Sequence, residues 1–289
     1  MKLGTLVTSN GPQPVLVAVE GDTSRYYAIE KIDSSLPGSV KELIGDEQAL
    51  SRLADAISSG LPDGALVEGK LTAPVPDPGK VICIGLNYRD HAEETGMAIP
   101  EEPVCFGKFA NTIVGPDDEI RLPKVSEQVD FEAELVIVIG PRGKNIDPAQ
   151  ALDHVAGYTN GHDVSARDWQ IGKPGKQWML GKTPDTFAPI GPYVATRDEI
   201  PDPAALSIQL KLNGEVMQDG HTSQFIFGVG EIVSYLSQIM TLEPGDLIFT
   251  GTPAGVGMGR KPPVWLKPGD VTEVSISGLG TLRNPVVAE

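Results

Sequence analysis

The chain has 289 residues, enough to bury a full core, and its 40% hydrophobic content is that of a globular protein. A formal charge of −16 argues against a phosphate-backbone binder, which needs a clustered basic face, and requires any anionic substrate to meet local positive charge in a pocket. Two cysteines without Cys-x-x-Cys spacing, Cys83 and Cys105, argue against a zinc ribbon or disulfide framework, and no stretch approaches the ~20 apolar residues that cross a bilayer. The expectation is therefore a soluble cytoplasmic protein with reduced thiols and no nucleic-acid or membrane partner.

The first 74 residues read as a small N-terminal α+β domain, with β-prone runs at Leu3 to Thr8, Val15 to Val19 and Tyr26 to Ile29. One helix follows: Asp46 is its N-cap, Leu50, Leu53, Ala54 and Ile57 share a face, and Gly60 stops it. Three prolines in Thr72 to Gly79 mark an extended connector, and residues 75–289 form the main domain. Val81 to Gly85 is a short strand, and Asn87 to Glu94 leaves it as a polar, helix-compatible segment that ends at Gly96.

Asp130 to Gly140, DFEAELVIVIG, sets two acids at period two ahead of an unbroken apolar run, Leu135 to Ile139. Successive strand side chains alternate, so Glu132 and Glu134 share one face roughly 7 Å apart, and the apolar run implies a strand covered on both sides. A Glu-x-Glu pair alone is more often a solvated edge; a pair entering a buried strand needs a cation. Asp163 lies 29 residues after Glu134, where the β-prone run Val155 to Thr159 meets a polar turn. Three carboxylates without cysteine select a hard cation, Mg²⁺ or Mn²⁺, which keeps positions open for water or substrate.

Leu242 to Asp246 and Leu266 to Asp270 repeat an L-x-P-G-D pattern that fits type II turns, each leading into a β-prone run, and Val229 to Met240 has helical spacing. With 25 prolines and 33 glycines between apolar runs and no regular βαβ alternation, the fold class is a β-rich α+β fold. Gly255 to Gly259 has the wrong spacing for a dinucleotide loop, and Gly181-Lys182-Thr183 lacks the first glycine of a P-loop. Neither a G-x-S-x-G elbow nor an H-E-x-x-H helix is present.

GLNYRDHAEE, the E-x-E strand, AGYTNGHDVSARDWQ, KTPDTFAPIGP, NGEVMQDGHT and LEPGDLIFTGTPAGVG, taken together in this order, resemble the fumarylacetoacetate hydrolase family over about residues 80 to 289. The resemblance implies a mixed β-roll, usually a homodimer, that holds Mg²⁺ or Mn²⁺ through Glu132, Glu134 and Asp163. It matches Lys182, Gln170, Thr252 and, more weakly, Arg167 to pocket positions, and His91 with Glu94 to a mobile lid that supplies a His-Glu dyad. His162 before Asp163 and Thr183-Pro184 after Lys182 depart from the family pattern. Three residues apart on a helical turn, His91 and Glu94 share a face, and a carboxylate beside an imidazole fixes its tautomer as a base.

The implied activity is hydrolysis of a carbon-carbon bond in acylpyruvate-type 2,4-dioxo acids, releasing pyruvate and a carboxylic acid. His91 and Glu94 would activate water, and Lys182 would offset oxyanion charge. Alternatives are oxaloacetate decarboxylation or isomerisation of an unsaturated 2-oxo diacid through the same metal-assisted enolate chemistry, and a non-catalytic metal-stabilised binding protein. The wall that selects the substrate is expected from the lid and from loops near Phe106 and Met258.

Overall fold

The computed structural model describes every residue except Asn10 and Asp22. Its centre is the strand Ala133–Ile139, which is buried at every position. Leu135, Ile137 and Ile139 face one hydrophobic core and Val136 and Val138 the other, so the unbroken apolar run is a strand covered on both faces. It pairs antiparallel with Val155–His162 on one side and with Leu247–Phe249 on the other. Val81–Gly85 lies parallel to Leu247–Phe249 and is followed by the Val104–Lys108 strand at the sheet edge.

Beyond Val155–His162 the sheet continues through Ala188–Thr196 into the N-terminal strands Lys2–Thr8, Gly11–Glu20 and Thr23–Ala28, for twelve strands in all among the described residues. A second sheet of five strands carries Ser207–Leu212, Val271–Ile276 and Thr281–Ala288. Ile208, Leu210, Val274 and Leu282 from it close the core against Leu135 and Ile137.

Local signals are realised where they were strong. Asp46 caps Glu47–Ser59 by accepting from the amides of Gln48 and Ala49, and Gly60 ends the helix at φ 103°. The helix Val229–Ile239 buries Ile232, Val233 and Leu236. Gly245 and Gly269, at φ 78° and 96°, supply the left-handed residue that a type II turn needs in both L-x-P-G-D repeats. The β-prone run expected through Ile29 stops at Ala28, because Ile29–Ile32 turns into a single helical turn. A second short helix, Val40–Ile44, also precedes the expected one. Elements of four or five residues are too short to show a period. The connector begins inside a strand, Lys70–Thr72, and buries Ala73 and Val75 in the core.

Candidate metal centre and active site

The site sits where the ends of adjacent strands meet. In the antiparallel register Ala133 faces His162, so Asp163, the next residue, lands beside Glu132, and the Asp163 amide donates to the Glu132 carbonyl at 2.9 Å. The chain after Leu247–Phe249 runs along the same end: the Gly251 amide donates to Glu134 Oε2 at 2.8 Å, and Thr252 Oγ1 donates to the Ala133 carbonyl at 2.9 Å. Glu132, although it precedes the strand proper, thus shares a face with Glu134. One carboxylate oxygen from each of Glu132, Glu134 and Asp163 lies within 4.8 Å of the others, and all three residues are at most 5% exposed.

Three buried cations surround the triad. Lys182 Nζ stands 2.7 Å from both Glu132 and Asp163. Arg167 bridges Asp130, at 2.9 Å, and Glu132. Lys108 directs its ammonium to the carbonyls of Val164, Lys182 and Phe187, with Asp163 Oδ1 2.7 Å away. Asp163 Oδ1, fully buried, is therefore paired with the Lys108 ammonium, while its other oxygen meets Lys182. Burial would raise the Glu132 carboxyl, but Arg167 and Lys182 outweigh it and hold Glu132 below the ordinary range. Glu134 has no such partner: burial, then the charges of Asp163 and Glu132, push it well above its ordinary value.

Three buried carboxylate oxygens within 4.8 Å of one another and a Glu134 carboxyl that its neighbours push toward protonation both fit a hard cation shared by the three acids. The donor set is all oxygen, with three protein ligands, which suits a divalent ion that keeps open positions.

These groups form one wall of a cavity of about 410 Å³, also lined by His91, Phe106, Arg167, Gln170, Lys176, Trp178, Lys182, Thr252 and Met258. His91 lies on the helix Arg89–Thr95, with Nδ1 3.3 Å from Glu94 Oε2. The second Glu94 oxygen accepts from the Gly255 amide at 2.9 Å, tying this helix to the glycine-rich loop. Burial would raise the Glu94 carboxyl, but the His91 and Gly255 hydrogen bonds outweigh it and hold Glu94 below its ordinary value. Lys182 follows a necessary glycine: a β-carbon on Gly181 would stand 2.5 Å from Gln170 Cβ and 2.6 Å from its amide nitrogen.

All nine residues singled out from the sequence therefore line the cavity or, in the case of Glu94, contact a residue that does. Their partners refine the expectation. Arg167 is committed to two carboxylates and donates to Gln170 Oε1 at 2.8 Å, so these two brace the wall. Thr252 accepts from Gln218 Nε2 at 2.8 Å as well as donating to Ala133, which pins its loop to the central strand. His162, the residue that departs from the family pattern, is fully buried, and burial with the Lys108 charge pushes it down to about 3, a neutral imidazole at physiological pH.

Lys108, Asp130 and Gln218 were missed. Asp130 extends the alternation of Glu132 and Glu134 by one step, a signal present in DFEAE, and it accepts from the amides of Gly257 and Met258. Lys108 and Gln218 carry no spacing that marks them. The Gly255 to Gly259 run, not a dinucleotide loop, is thus the clamp on Asp130.

The family description "Fumarylacetoacetate (FAA) hydrolase C-terminal" matches residues 80–287. Oxaloacetate tautomerase fahd2, mitochondrial, of Xenopus laevis is 46% identical over 99% of this chain and 90% of its own length. Human oxaloacetate tautomerase FAHD2A, mitochondrial, is 47% identical over 95% of this chain and 88% of its own. Among solved structures, fumarylacetoacetate hydrolase from Exiguobacterium antarcticum superposes with a TM-score of 0.84 at 37% identity, covering 100% of both chains. A 5-carboxymethyl-2-hydroxymuconate delta-isomerase from Mycobacterium smegmatis gives 0.77 at 35% identity, covering 100% of this chain and 99% of that one.

These findings correct one expectation: the cytoplasmic assignment is overturned by relatives matching nearly the whole chain that are mitochondrial by name. They also place oxaloacetate tautomerases and an isomerase, together with a fumarylacetoacetate hydrolase, beside this sequence. With the family description spanning most of the chain and the same fold in its solved members, the protein belongs to the fumarylacetoacetate hydrolase family.

Proposed function

We propose that the protein is a divalent-metal-dependent tautomerase or isomerase of 2-oxo acids, with oxaloacetate as the first substrate to test. The observation that carries this reading is the joint presence of the buried triad and a His-Glu pair on one cavity, in a chain 46% identical to an oxaloacetate tautomerase over 99% of its length. Glu132, Glu134 and Asp163 would hold Mg²⁺ or Mn²⁺, which when bound supplies Lewis-acid polarisation of the oxygens of a 2-oxo acid.

The chain's own residues account for the proton traffic. Keto-enol conversion removes a proton from C3 and delivers one to the C2 oxygen, with no net addition of water. With Nδ1 turned to Glu94, the His91 ring has Nε2 left for the cavity, and the carboxylate supports the imidazole as it takes up a proton. Lys182 provides positive charge on the cavity wall beside the triad, where negative charge collects on the substrate oxygens. Phe106, Trp178 and Met258 limit water around the reacting carbon.

The test follows loss of oxaloacetate enol absorbance with purified protein and Mg²⁺ or Mn²⁺, alongside pyruvate release from acetylpyruvate and CO₂ release from oxaloacetate. Metal-dependent acceleration of tautomerisation beyond the other two reactions is expected. Cleavage of acetylpyruvate without tautomerisation would return the assignment to a hydrolase.

A further inference from the structure

Three cationic side chains line the cavity: Arg167, Lys182 and Lys176. The first two are committed to buried carboxylates. Lys176 is different, because its ammonium has neither a carboxylate nor a carbonyl partner among the described residues. The neighbouring cation Lys173 is also occupied, lying over the Trp169 ring at 4.6 Å.

The backbone holds Lys176 at an energetic cost. Gly175 and Lys176 are successive left-handed residues at φ 79° and 54°, a conformation that glycine adopts freely and a lysine does not. The turn closes by the Lys176 amide donating to the Lys173 carbonyl at 3.2 Å, and the Lys176 carbonyl accepts from the Trp178 amide at 2.9 Å. Trp178 in turn is wedged into the cavity wall, edge-on to Phe106 at 5.6 Å, over a Gly85 that has no room for a side chain. Lys176 is solvent-exposed at the rim of the cavity, so its ammonium is free to meet a ligand held there, and the left-handed backbone fixes where its stem begins.

We propose that Lys176 is a specificity-determining residue that binds the distal carboxylate of a 2-oxo diacid whose 2-oxo acid end lies at Glu132, Glu134 and Asp163. The assignment rests on the 2-oxo acid reading given under Proposed function. Its physical basis is division of labour: the buried cations are paired with the carboxylates of the centre, and the free one is left for the charge that separates a diacid from a monoacid. A lysine suits the task, since its flexible stem lets a compact charge meet carboxylates at more than one chain length.

The experiment pairs oxaloacetate with its 4-methyl ester, which keeps the 2-oxo acid end and removes only the distal charge. Wild type, Lys176→Gln and Lys176→Arg are compared in kcat and KM with both compounds, melting temperature serving as the folding control. Wild type is expected to show a KM for oxaloacetate about tenfold below that for the ester. Lys176→Gln should bring the two KM values within about twofold by raising that of oxaloacetate, and Lys176→Arg should restore most of the difference. Wild-type turnover of both compounds with a ratio that Lys176→Gln leaves unmoved overturns the assignment alone. Failure of wild type to process either compound overturns the 2-oxo acid reading, and this assignment with it.

Discussion

Glu134→Gln separates the cost of the triad from its use. The amide keeps an oxygen for the Gly251 N–H and nearly the same volume, so the substitution removes charge and little else. At the 4.8 Å that bounds the cluster, two unit charges repel by about 3.5 kcal/mol at an effective dielectric near 20. Glu134 faces two such neighbours, while Lys182 sits 2.7 Å from each of them and offsets part of the repulsion. A net relief of about 2 kcal/mol follows, or roughly 4–8 °C in Tm for a chain of this size. The sign with pH is fixed by the raised Glu134 carboxyl: the folded state holds its proton longer than the unfolded state, so metal-free protein loses stability as pH rises above 4.5 toward the folded value.

Melting curves in chelator from pH 5 to 8 should therefore show Glu134→Gln increasingly more stable than wild type as pH rises. Adding Mn²⁺ should reverse the order, because wild type gains stability by binding it and the variant gains far less. A chelated variant that melts at or below wild type throughout, or an equal gain from Mn²⁺, would refute the view that these three acids are arranged for a cation.

Two further outcomes follow from the same geometry. His91→Asn should lower kcat for oxaloacetate tautomerisation by about 10² to 10⁴ with Tm little changed, measured by enol absorbance and thermal melting; a loss below threefold would remove His91 from the proton path. Gly257→Ala would place a β-carbon 2.0 Å from the Val264 carbonyl oxygen and 2.5 Å from Asp130 Oδ1, so the loop must shift and release Asp130. With Arg167 then held at one end only, the Mn²⁺-induced gain in Tm should shrink by at least half and activity fall more than tenfold; unchanged values would uncouple the glycine-rich loop from the centre.

What the sequence revealed divides along a physical line. The Asp46 to Gly60 helix, both L-x-P-G-D turns and the two-faced strand from Ala133 are set by local chemistry and by a period of two or 3.6, so they can be read without partners. The triad was legible because a strand places alternate acids on one face, and Asp163 needed only an antiparallel return to join them. Sheet order was not legible: pairing of Leu3 with Val194, or of Val81 with Leu247, joins segments whose separation leaves no local mark. Lys108 escaped notice for the same reason, since its reach to Asp163 depends on strands that only the whole fold brings together. Arg167 was found but its part changed, because two buried carboxylates claim the charge that a reading from the sequence left free for substrate.

The charge of the centre bears on how a protein with a formal charge of −16 would take the proposed anionic substrate. Four buried carboxylates, Asp130, Glu132, Glu134 and Asp163, face three buried cations, Lys108, Arg167 and Lys182, which leaves one negative charge in excess. A divalent ion on the triad would turn that excess positive, so binding of the proposed ion and of an anionic substrate would be coupled. The acidic surface would then act as a filter, repelling anions except at a cavity where the potential of a bound ion outweighs it. The linkage runs both ways, and a 2-oxo acid should tighten the ion by the same factor by which the ion tightens the acid. Titrating Mn²⁺ with and without oxaloacetate, and oxaloacetate with and without Mn²⁺, measures this common factor twice, and a factor of one would place the acid and the ion at sites that do not share this charge.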